Sequence, residues 1–76
     1  MYSIYRNGKL VGSSSDIEYV VEFTKLMIDK AIGTEKDSRK LKQLYEDKLT
    51  VNSPKVGINQ LQPILERLGY KLEVDI

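Results

Sequence analysis

Between Ile17 and Ile32 the apolar residues almost encircle a single helix. Ile17, Val20, Val21, Met27, Ile28 and Ala31 recur at helical spacing on one face, and Tyr19, Phe23 and Leu26 widen that face well beyond a usual stripe. The polar remainder, Glu18, Glu22, Lys25 and Asp29, steps by four, three and four along one narrow line. Roughly two-thirds of the circumference therefore wants cover. In a chain of 76 residues, that cover comes either from wrapping nearly every other element around the helix or from a partner.

The length allows one domain, residues 1–76, because a chain this size buries only about 60 to 65% of its unfolded surface. With 41% hydrophobic and 30% charged residues, it has the composition of a folded globular chain. No apolar run approaches the roughly 20 residues of a membrane helix, and Met1 leads into strand-like sequence with no signal-peptide pattern, so a cytoplasmic location is expected. The absence of cysteine removes disulfides and thiolate metal sites. The absence of histidine removes the residue most used for proton transfer near neutral pH and for transition-metal ligation. A net charge of +1 neither demands nor forbids a polyanionic partner.

Upstream of the helix, Asn7-Gly8 stands between β-prone runs and predicts a type I′ hairpin, since both turn residues tolerate positive φ. A two-residue loop pairs Arg6 with Lys9, Tyr5 with Leu10 and Ile4 with Val11. Ser15 with Glu18 reads as the capping box that opens the long helix, and Gly33 as the left-handed residue that ends it. Thr34 and Asp37 predict the cap of a second helix running to about Lys48, with Leu41, Leu44, Tyr45 and Leu49 as its narrow apolar stripe. Thr50 to Gly57 reads as a connector, with a short strand over Leu49 to Asn52. Asn59 and Gln62 predict the cap of a third helix, with Pro63 in its first turn and Gly69 at its end, where Tyr70 folds back on Leu65. Lys71 to Ile76 alternates as a strand with Leu72, Val74 and Ile76 inward. The expected fold is α+β in the order ββαααβ: the hairpin and the last strand form a small antiparallel sheet packed on the long central helix, and two further helices close the core.

No enzymatic motif is present. Nothing activates a nucleophile, and neither a phosphate loop nor a dinucleotide fingerprint occurs. Glu46-Asp47 and Glu73 with Asp75 read as solvated charge, and Ser13 to Ser15 as a turn and cap. No catalytic, cofactor-binding or metal-ligating residue is assigned. Lys36, Arg39, Lys40 and Lys42 gather at the start of the second helix, where free backbone N–H groups also favour an anion, and Arg6 and Lys9 mark the hairpin tip. Those six are the candidate nucleic-acid contacts, and a solvated helix face laced with ion pairs is the competing reading. Tyr5, Tyr19, Phe23 and Leu26 are the candidate protein-interface residues, to be read as core if the other elements cover them.

The run Ile58-Asn59-Gln60-Leu61-Gln62-Pro63-Ile64-Leu65-Glu66-Arg67-Leu68-Gly69-Tyr70-Lys71-Leu72-Glu73-Val74 resembles the closing helix and terminal strand of phage-repressor-like and antitoxin helix-turn-helix regulators. Upstream the pattern departs from theirs, because Asp29 stands four residues before Gly33 where such regulators place a small residue. The opening Ile4 to Val11 is similar to hairpins that begin many small phage proteins. Together the resemblances imply a phage or mobile-element origin. The leading expectation is a non-enzymatic protein that occupies a macromolecular partner, as host- or defence-inhibiting phage proteins of the anti-CRISPR kind do, with a homodimer among the candidate assemblies. The alternative is a small DNA-binding regulator or antitoxin.

Overall fold

The computed structural model describes residues 1–75 and follows the expected order: β1 (Tyr2–Arg6), β2 (Lys9–Ser14), α1 (Ile17–Thr34), α2 (Ser38–Val51), α3 (Ile58–Arg67) and β3 (Lys71–Val74). The fold is α+β, an antiparallel three-stranded sheet in the order β2-β1-β3 with three helices.

The Asn7-Gly8 turn forms as its chemistry dictates, with φ of 54° and 79°. Arg6 pairs with Lys9 and Tyr5 with Leu10, but the register then slips, and Ile4 faces Gly12 instead of Val11. The extra residue is Val11, a bulge that leaves its side chain exposed and brings a glycine beneath the inward-facing Ile4. On the other side of β1, Ile4 faces Leu72, and these two are the sheet's fully buried apolar pair. Val74 lies at the rim of that face and stays exposed, contrary to the alternation; the inward position expected for Ile76 lies outside the described residues.

Helix ends follow the strongest local acceptor. Asp16, not Ser15, caps α1, its Oδ1 accepting the Glu18 N–H at 3.1 Å. The helix runs through Gly33, which is not left-handed, and closes where the Glu35 N–H donates to the Ala31 carbonyl. Asp37 caps α2. No strand forms over Leu49 to Asn52: α2 continues to Val51, which is rewarded by nearly complete burial. Gly57 rather than Asn59 precedes α3, its N–H held by Gln60 Oε1 at 2.8 Å. This puts Pro63 in the second turn, where the freed carbonyl four residues back belongs to the exposed Asn59 and is left to water. Gly69, at φ 93°, closes α3 with a Schellman motif: the Tyr70 N–H reaches the Leu65 carbonyl at 2.8 Å and the Gly69 N–H that of Glu66 at 3.0 Å.

One core results, built from Ile4 and Leu72 of the sheet, Val20, Val21 and Ile28 of α1, Val51 of α2, and Leu61, Ile64 and Leu65 of α3. Thr24 is buried among them at no polar cost, because its hydroxyl donates to the Val20 carbonyl at 2.7 Å. α1 and α3 cover one face of the sheet, and α2 packs on those two helices. Gln62 of α3 donates to the Leu72 carbonyl on the outer edge of β3.

Candidate functional site

α1 and α2 pack against each other and are joined where Lys48 Nζ meets Asp29 Oδ1 at 3.1 Å. The buried side of α1 carries Val20, Val21, Thr24 and Ile28, and that of α2 Leu44, Asp47 and Val51. Away from those sides, Leu26 of α1 is 58% exposed, and Tyr45 and Leu49 of α2 are 52% and 76% exposed. Leu41, Tyr45 and Leu49 recur at steps of four and so form one row along α2; the buried side of that helix belongs instead to Leu44, Asp47 and Val51. The apolar stripe expected to face the core is thus split, with Leu44 inside, Leu41 half-buried, and Tyr45 and Leu49 outside. Val51, just past the expected end of the helix, takes the core position.

The four residues expected at a protein interface do not share a surface. Leu26 faces outward, but Tyr19 and Phe23 turn toward the sheet. A Cβ on Gly12 would collide with Tyr19 Oη, so the Tyr19 ring lies directly across the glycine of β2. Tyr19 and Phe23 have ring centroids 6.4 Å apart, and Phe23 meets Tyr70 edge-on at 5.2 Å. Arg6 closes this aromatic column, its guanidinium 5.3 Å from the Tyr70 ring centre and donating to the Tyr70 hydroxyl at 3.2 Å. The same hydroxyl donates to Met27 Sδ at 3.1 Å. Tyr5 lies on the opposite face of the sheet from the helices, beside Lys71 of β3.

The basic residues are also dispersed. Lys36 is in the link before α2, while Arg39 and Lys42 point away from the core side of that helix. The start of α2 is occupied by its own anion, since Asp37 Oδ1 accepts the Arg39 N–H at 2.9 Å. Lys9 sits beyond the hairpin turn. Arg6 and Lys40, by contrast, line neighbouring cavities. A cavity of about 260 Å³ between the hairpin tip and α1 carries Arg6 and Lys30; one of about 450 Å³ between α1, α2 and α3 carries Lys40 and Arg67. Ala31 and Leu68 line both, so the two cavities adjoin.

Asp47 departs most from its sequence reading. Expected in solvent beside Glu46, it is 4% exposed, paired with Arg67 of α3 and accepting from Gln43 Nε2 at 3.1 Å. The signal was its helical position: Asp47 falls between Leu44 and Val51 on the buried side of α2.

Among the described residues, no acidic side chains gather as a metal ion would need, and no helix is long and apolar enough to cross a membrane. Comparison with protein-family models, with curated proteins and with solved structures finds no match.

Proposed function

We propose that this chain is a non-enzymatic binding protein that acts by occupying a protein partner, with the outer face of α1 and α2 as the contact. The observation that carries it is the set Leu26, Tyr45 and Leu49, three large apolar side chains each more than half exposed on the two longest helices of a small domain. The resemblance of Ile58 to Val74 to phage regulators supports a mobile-element origin, in which occupying a host or defence protein is the activity. A photo-cross-linking amino acid at position 49, presented to an extract of the source cell, tests the assignment. A discrete adduct is expected, suppressed by excess wild-type chain and not by Leu49→Glu. Equal labelling from position 18, on the polar line of α1, would sink it.

A nucleic-acid reading is favoured by one observation only, the two adjoining cavities that carry Arg6 and Lys30 in one and Lys40 in the other. Duplex binding there would weaken with salt, and Arg6→Glu with Lys40→Glu would flatten that dependence by about two phosphate contacts. Arg39→Glu with Lys42→Glu, on the outer side of α2, would leave it unchanged. Equal loss in both pairs removes the two cavities as the contact.

A further inference from the structure

We propose that the occupant of the α1–α2 face is a second copy of this chain, bound through an antiparallel contact of the two α2 helices about a two-fold axis near Tyr45. This rests on the protein-binding reading and names its partner. The apolar row is its own complement. An antiparallel two-fold sets Tyr45 against its counterpart, and Leu41 of each copy against Leu49 of the other.

The charges repeat the same symmetry. Lys42 and Glu46 are exposed side by side along one flank of the row, and neither has an ion-pair partner among the described residues. The two-fold lays Lys42 of each copy about 3 Å along the helix axis from Glu46 of the other, within side-chain reach, for two ion pairs per dimer. A parallel arrangement would carry the Lys42–Glu46 flanks of the two copies to opposite sides of the contact and lose both pairs, so the charges favour the antiparallel one. On the other flank Lys48 is already neutralised by Asp29 and brings no bare cation to the contact. With 14 residues, α2 is about 21 Å long, the scale of a small and reversible interface of under ~1,200 Å² in total. Association is therefore concentration-dependent.

Sedimentation equilibrium from about 1 µM to about 1 mM, a span of roughly 4 kcal/mol in association free energy, tests it. The wild-type chain is expected to pass from monomer to dimer, and Leu49→Glu to remain monomeric with an unchanged circular dichroism spectrum. Lys42→Glu alone and Glu46→Lys alone are each expected to associate at least tenfold more weakly, because each homodimer then faces like charges. Their equimolar mixture is expected to dimerise again, since the carboxylate introduced in one variant meets the ammonium introduced in the other, while the remaining native Glu46 meets the remaining native Lys42. An exchange of charge within one helix cannot produce that rescue by mixing. A chain monomeric at all concentrations, a dimer indifferent to Leu49→Glu, or a mixture that stays monomeric overturns the proposal. A monomeric chain that still cross-links from position 49 to a different polypeptide overturns only the second copy as occupant; one that cross-links to nothing overturns the protein-binding reading as well.

Discussion

Asp47 of α2 and Arg67 of α3 form an ion pair in which the acid is buried and the base is half in water. The asymmetry predicts unequal costs. Arg67→Met strands a desolvated carboxylate with only Gln43 as partner and is expected to cost about 2 kcal/mol, below the range for fully buried pairs because Arg67 is partly exposed. Asp47→Asn keeps an acceptor for both neighbours and is expected to cost under about 1 kcal/mol. For a domain of this size, thermal unfolding should separate the two variants by roughly 4 to 8 °C per kcal/mol. Asp47→Leu combined with Arg67→Met should recover most of the loss, since no charge is then left buried alone.

The contact of Tyr19 with Gly12 predicts a coupling between the two. Gly12→Ala places a methyl where Tyr19 Oη now stands and should destabilise by about 1 kcal/mol, although alanine is otherwise the better strand residue. In a Tyr19→Ala background the same change should be neutral or slightly stabilising. A double-mutant cycle by urea unfolding reads the coupling directly, and a value near zero would show that the ring simply swings aside.

Two glycines should respond in opposite directions. Gly33 lies within α1 with open space around it, so Gly33→Ala is expected to stabilise by about 0.5 to 1 kcal/mol. Gly69 holds a left-handed conformation that seals α3, so Gly69→Ala is expected to cost about 1 kcal/mol or more. Chemical denaturation midpoints of the two variants, measured against wild type, check both signs.

Near the end of α2, exposure decides what a residue is for. Leu49→Gln should leave monomer stability within about 0.5 kcal/mol, whereas Val51→Ala, which opens a void in the core, should cost about 1 to 3 kcal/mol. Comparable losses in the two would move Leu49 into the core and remove the apolar surface from which a binding function is argued.

The elements themselves were legible because each rests on local chemistry: Asn-Gly for the hairpin, the dense apolar helix, Gly69 after a leucine-rich run. The errors share a cause. Asp16, Gly57 and Val51 were misread because alternatives one or two residues away satisfy the same local rule, and tertiary burial chose between them. The bulge at Val11 is invisible to strand alternation, since it depends on Tyr19 requiring a glycine opposite Ile4. The site was less legible still. Tyr19, Phe23 and Leu26 look equivalent on a helical wheel until the sheet takes two of them, and the stripe on α2 reads as core until α1 and α3 claim its other side. Tyr45 and Leu49, which helical spacing alone assigns to the core, thus end on the surface.

Gln62 has one further consequence. Sheets of different molecules can join edge to edge without limit only if each offers two unpaired edges, one to give and one to receive. In this fold the outward carbonyl in the middle of β3 is already satisfied by the Gln62 side chain, and Val11 bends the far strand. Edge-to-edge growth along the sheet is thus hindered at one edge and distorted at the other, which makes the helices, with their exposed leucine and tyrosine, the easier surface for association.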